Sequence, residues 1–172
     1  KYNITNFYNE TDVNKGIYEL RNHVNKKNDK HGLYKAELYC DGQLTDTIVS
    51  GSKFELILHF ESIRDFFEGE IGISIKDSNH TSYINLNNKH LGQTIVVKEG
   101  MGVARIVIED FPLFASDVYW INLYFGDRGP NYEILENAVK FKIIGHDVFG
   151  SGRSLEASTN KLFHRKINIE II

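Results

Sequence analysis

The chain has 172 residues, 41% of them hydrophobic, and its 20 Lys and Arg nearly balance 23 Asp and Glu, for a formal net charge of −3. That length fits one domain able to bury a core, and the charge balance excludes the basic excess or stripe by which general nucleic-acid binders hold phosphates. A single cysteine, Cys40, excludes an internal disulfide framework, and no apolar run approaches the roughly 20 residues of a membrane helix.

Residues 1–30 are rich in Asn, Lys and Asp and end in Asn25-Lys26-Lys27-Asn28-Asp29-Lys30. They read as a linker or arm with one short ordered piece near Ile17–Val24, leaving 31–172 as the domain. The sequons at Asn3, Asn9 and Asn79 are what an Asn-rich chain produces by chance. From Leu33 onward period-2 alternation dominates. Leu33–Cys40 is a strand ended by the turn signal Asp41-Gly42. In Lys53–Glu61, Phe54, Leu56, Leu58 and Phe60 share one face. Ile71, Ile73 and Ile75 make another inward row, with Gly72, Ser74 and Lys76 opposite. Ser82–Asn87, Val103–Asp110, Val118–Phe125, Val139–Ile144 and Lys166–Ile172 follow as strands, and Ile63–Phe67 or Tyr132–Glu136 could form a short helical turn. Strands separated by turn clusters, with no sustained helical period, predict an all-β, antiparallel two-sheet β-sandwich.

Catalytic signatures are weak. The Gly-rich stretch Phe149–Ser154 lacks the Lys of a phosphate-binding loop, and no Gly-x-Ser-x-Gly elbow occurs. Cys40 sits on an alternating strand as a small core residue. His59 and Glu61 share a strand face, but no His-x-His or His-x-x-x-His pair stands in the chain, so neither a metal nor another cofactor is predicted. Acids such as Glu55, Glu61, Glu68 and Glu70 are numerous, but spacing places no two of them across a cleft.

The informative stretch is Asp117–Phe125. Tyr119, Ile121, Leu123 and Phe125 form a core row, so period 2 sends Trp120, Asn122 and Tyr124 to the other face. An indole and a phenol beside an amide suit a sugar: the apolar face of a pyranose stacks on a ring while polar groups hold its hydroxyls. The same pattern also suits a face covered by a loop, the arm or a partner subunit. Outward polar residues on neighbouring strands, His59, Tyr83, Asn85 and Arg105, complete the candidate binding set.

Four stretches, in order, resemble the C-terminal domain of Wzt, the ATP-binding subunit of bacterial O-antigen (lipopolysaccharide) ABC transporters. They are Gly51–Leu56, Gly72–Asp77, Tyr119–Phe125 followed by Asn137–Ile143, and Asp147–Gly152. The resemblance implies an immunoglobulin-like or jelly-roll-like sandwich. It implies a homodimer exchanging the C-terminal strand, whose Ile167, Ile169 and Ile171 form an apolar row. It further implies non-catalytic carbohydrate binding at the modified non-reducing end of a polysaccharide before export. The partners would be the transporter's nucleotide-binding and membrane subunits, at the cytoplasmic face of the inner membrane, with no nucleic acid and no direct membrane insertion. Residues 1–30 would be the linker from a nucleotide-binding domain that holds the ATPase. The chain departs from the family pattern at Ile84-Asn85-Leu86-Asn87 and at Ser116-Asp117. The alternative function is a protein–protein assembly module that binds no glycan.

Overall fold

A computed structural model of the chain describes residues 15–28, 30–115, 117–127, 132–154 and 162–163. In chain order its strands are β1 (Ile17–Glu19), β2 (Gly32–Cys40), β3 (Gln43–Leu44), β4 (Thr47–Val49), β5 (Phe54–Ser62), β6 (Phe66–Asp77), β7 (Ser82–Asn87), β8 (Ile95–Val97), β9 (Gly100–Ile108), β10 (Leu113–Phe114), β11 (Asp117–Gly126), β12 (Glu133–Ile144) and β13 (Leu162–Phe163). No helix occurs among the described residues.

Alternation builds the long strands. In β5, Phe54, Leu56, Leu58 and Phe60 are buried while the residues between them are half-buried. In β11, Tyr119, Ile121, Leu123 and Phe125 are fully buried. Such rows leave water only when a second sheet covers them, and the chain supplies two. One sheet runs β1-β2-β5-β9 with β3 beside β2; the other runs β4-β12-β11-β6-β7 with β8 beside β6. The pairing is antiparallel apart from β4 on β12. Rings knit the sheets together: Phe60 of β5 meets Phe125 of β11 at 4.8 Å between centroids, and Phe54 meets Phe141 of β12 at 6.4 Å. The expected all-β sandwich is therefore the fold.

Several local expectations change. Ile63–Phe67 and Tyr132–Glu136 are not helical turns; each leads into a long strand, β6 or β12, because Phe66 and Leu135 fill inward positions of the core. The ordered piece near Ile17–Val24 is β1, paired with β2, followed by the buried Leu20. Cys40 is buried, its sulfur 3.1 Å from the Ser52 hydroxyl. The expected strand Lys166–Ile172 lies outside the described residues.

Two irregularities shape the outer face of the larger sheet. Between β6 and β7, Ile75 faces Ile84 but Lys76 faces Ser82, so Tyr83 is an extra residue. Between β11 and β12, Ile121 faces Val139 and Leu123 faces Leu135, so residues 136–138 together oppose Asn122. Asn137 takes φ 55° there, a left-handed conformation that Asn tolerates better than most residues.

Candidate functional site

Trp120, Asn122 and Tyr124 project from β11 on the outer face of the larger sheet, all three half-buried. Antiparallel register lays a polar platform around them. Trp120 stands between Lys76 of β6 and Lys140 of β12. Asn122 stands beside Ser74, which faces Asn85 of β7. Tyr124 stands beside Gly72 on one side and Ile134 on the other. A Cβ on Gly72 would lie 2.6 Å from the Leu86 carbonyl oxygen and 2.7 Å from the Asn87 Cβ. Glycine is what lets β7 close onto β6 and bring Asn85 and Asn87 alongside.

Much of this platform's hydrogen-bonding capacity is not used within the sheet. Asn122 Oδ1 accepts the Asn137 backbone N–H at 2.9 Å, which fixes the amide plane and leaves its NH2 pointing away from that bond. Among the described residues, the indole N–H of Trp120, the Tyr124 hydroxyl, the Asn85 amide and the Lys76 ammonium have no partner. A pocket of about 190 Å3 beside the indole is lined by Asp77, Ser78, His80, Trp120 and Asn137. Its wall is a tight turn built by Asp77. One carboxylate oxygen accepts the N–H groups of Asn79 at 2.9 Å and Thr81 at 3.0 Å. The other accepts the Tyr83 hydroxyl at 3.2 Å.

The structure assembles only part of the set drawn from the sequence. Trp120, Asn122, Tyr124 and Asn85 share one face. Tyr83 does not join them: the bulge turns its ring inward, edge-on to Phe114 at 5.5 Å and near Tyr119 at 6.5 Å. Burial, with the Asp77 hydrogen bond, raises its hydroxyl pKa. His59 and Arg105 lie on the other sheet, and so on the opposite side of the sandwich. There His59 Nε2 is 3.3 Å from Glu37 Oε1. Arg105 forks onto Glu55 with bonds of 2.6 and 2.7 Å, holding that carboxyl below its ordinary range. Lys35 does the same to Glu37. Among the described residues no three His, Cys, Asp or Glu converge on a point where a metal could sit.

Sequence reasoning missed Ser74, Lys76, Asn137 and Lys140 as members of the platform. Ser74 and Lys76 were legible as outward residues of β6, alternating with Ile73 and Ile75. What no local pattern contains is that β6, rather than β5 or β9, lies next to β11.

The family model of the Wzt C-terminal domain matches residues 22–155. Among solved structures, the chain is similar to one described as the crystal structure of the C-terminal domain of wzt. The TM-score is 0.65 at 10% sequence identity, over 83% of this chain and 84% of that one. At that identity the likeness concerns the fold. No curated protein matches the chain in sequence.

Proposed function

We propose, from the premise that this chain belongs to the Wzt C-terminal domain family, a family associated with polysaccharide export by ABC transporters, that it is a non-catalytic module binding the modified non-reducing end of an O-antigen-type polysaccharide. The observation that carries this reading is the outward row Trp120–Asn122–Tyr124. Two half-buried rings offer flat apolar area, and the uncommitted N–H and O–H groups between and beside them suit hydroxyls. The residues before β1 would tether the module to a nucleotide-binding domain, where ATP is hydrolysed, at the cytoplasmic face of the inner membrane, since β1, Leu20 and Lys26 pack into the sandwich itself. Affinity should be modest, about −4 to −8 kcal/mol or millimolar to micromolar, because a sugar exchanges water hydrogen bonds for protein ones at little net gain.

Trp is present once in the chain beside nine tyrosines, so fluorescence excited selectively at tryptophan reports this site alone. An oligosaccharide array, followed by fluorescence and calorimetric titration of the bound glycans, tests the reading. Trp120→Ala should abolish binding and leave the thermal midpoint unchanged. Glycan binding that survives this substitution would place the site elsewhere.

A homodimer belongs to the same proposal, and one feature favours it. Among the described residues β9 pairs on one side only, with β5. Beside its open edge lies a mainly apolar groove of about 470 Å3 lined by residues including Leu86, Leu91, Ile95, Ile106 and Ile108. An unpaired edge next to apolar area is a ready template for an added strand, and Lys166–Ile172 carries a matching apolar row. Light scattering checks the mass. A dimer that ignores every glycan would favour the assembly module instead.

A further inference from the structure

We propose that the connection between β1 and β2 positions the candidate binding face, and that Asn25 is the residue through which it does so: Asn25 fixes the β12 insertion whose Asn137 holds the carboxamide of Asn122. The inference rests on the proposed glycan site and adds a positioning residue that lies outside it.

Three consecutive residues of that connection each hold β12. The Asn25 side-chain oxygen accepts the Glu136 N–H at 3.3 Å. The Lys26 ammonium is 3.0 Å from Glu133 Oε1. The Lys27 ammonium donates to the Tyr132 carbonyl at 3.4 Å. The partners step backwards along β12, so residues 25–27 lie antiparallel to it as a polar strap. They meet the strand on the edge away from β11. Among the described residues the strand on that edge is β4, and it joins β12 at residues 142–144, well past the strap.

The insertion needs such a hold. Residues 136–138 oppose the single residue Asn122, so the ladder that sets register elsewhere in β12 does not set their shape. Asn137 has φ 55°, a left-handed conformation that a residue with a Cβ keeps where its surroundings impose it. One end of the insertion is anchored in the core by the partly buried Ala138. Asn25 anchors the other end through Glu136. Between the anchors, Asn137 donates its N–H to Asn122 Oδ1 at 2.9 Å and lines the pocket beside the Trp120 indole. The path from Asn25 to the site therefore runs through two neighbouring residues.

The strap divides its work between two kinds of contact. Lys26 and Glu133 are out of water, with side chains at most 5% exposed, and their pairing holds the fold. The Asn25 bond lies at the surface, on the exposed Glu136, where a hydrogen bond adds little net stability. Its effect is on shape. Asn25 is itself held in place, its own N–H donated to His23 Nδ1 at 3.2 Å. Without the Asn25 acceptor the first residue of the insertion is released, Asn137 leaves its single arrangement, and the Asn122 carboxamide turns. Sugar affinity then falls in proportion to the fraction of molecules whose amide is still aimed.

The test compares wild type with Asn25→Ala and with Asn25→Asp, which keeps the acceptor and serves as the conservative rescue. Nuclear magnetic resonance of the ligand-free protein follows the Asn137 backbone amide and the Asn122 side-chain NH2. Titration uses the tightest binder among the methyl glycosides of glucose, galactose, mannose and N-acetylglucosamine and oligosaccharides built from them. In Asn25→Ala the Asn137 amide should exchange with solvent about tenfold faster. The Asn122 signals should move, and sugar affinity should fall about three- to tenfold, while the thermal midpoint stays unchanged. Asn25→Asp should restore all of these. Unchanged Asn122 signals and affinity in Asn25→Ala overturn the inference and leave the glycan site standing, as does a loss that Asn25→Asp does not restore. A fall in thermal midpoint as large as that of Glu133→Ala makes Asn25 a merely structural contact and also overturns it. Failure of every sugar to bind wild type overturns the glycan reading itself, and the resonance arm then decides alone whether Asn25 positions Asn122.

Discussion

On the outer face of the smaller sheet, Lys35 pairs with Glu37 and Arg105 with Glu55. On the outer face of the larger sheet, Trp120, Tyr124, Asn85 and Lys76 have no partner among the described residues. Both faces belong to the same sandwich and both alternate cleanly against a sealed core. The difference lies in self-sufficiency. Where cations and carboxylates already pair with each other, a ligand gains little from them, since any new hydrogen bond must replace an existing one. A face with half-buried rings and uncommitted donors retains that capacity.

The comparison breaks most visibly along β11 itself, where inward and outward residues are neighbours. Phe125→Ala should cost about 3–5 kcal/mol of stability in denaturant titration, because its ring is fully buried against Phe60. Tyr124→Ala should cost no more than about 1 kcal/mol but weaken glycan binding at least tenfold. A Tyr124→Ala variant as unstable as Phe125→Ala would show the outer face to be covered.

A comparable stability loss is expected at the junction holding the start of β12. The Lys26 ammonium is 3.0 Å from Glu133 Oε1, with both side chains at most 5% exposed, and Glu133 Oε2 accepts the Leu33 N–H at 2.7 Å. Glu133→Ala leaves the buried Lys26 ammonium without its counter-charge, held only by the Leu33 carbonyl at 2.6 Å, and the buried Leu33 N–H without its acceptor, so the loss should be about 3–5 kcal/mol. This pair, unlike those on the outer faces, is out of water, and an equally small loss at both places would erase the distinction.

Gly72→Val sharpens the comparison from the backbone side. The added carbons meet the β7 backbone, so about 1–3 kcal/mol should be lost. Glycan binding should weaken as Asn85 moves away from Asn122, while the smaller sheet's ion pairs stay intact. Amide exchange across β7, measured against β5, checks both parts.

Arg105→Ala is the smallest effect: a barely measurable change in stability at neutral pH, because the pair is open to water, and no change in glycan binding. Its signature is in pH. Arg105 lowers the Glu55 pKa from its ordinary 4.5 in the folded state. The pair therefore stabilises the fold above that pH and loses its effect as pH falls through the depressed folded value. Arg105→Ala should flatten the acid side of the stability profile and leave the neutral side nearly parallel to wild type. A change in glycan affinity on removing Arg105 would place the site on the wrong sheet.

Alternation by itself determined which residues of β5, β6, β11 and β12 face inward, because a side chain's direction on a strand is set by its neighbours along the chain. That sufficed for an all-β sandwich and for an outward Trp120, Asn122 and Tyr124. Tertiary structure alone decided who stands beside them. His59 and Arg105 are outward by the same alternation yet belong to the other sheet, and an inserted residue between β6 and β7 turns Tyr83 inward. Lys76 and Lys140 reach Trp120 only through strand order and register. The reason is physical: period 2 is a property of one strand, whereas pairing joins residues 20 and 44 positions apart, Trp120 with Lys140 and with Lys76, through backbone hydrogen bonds that are the same for every side chain.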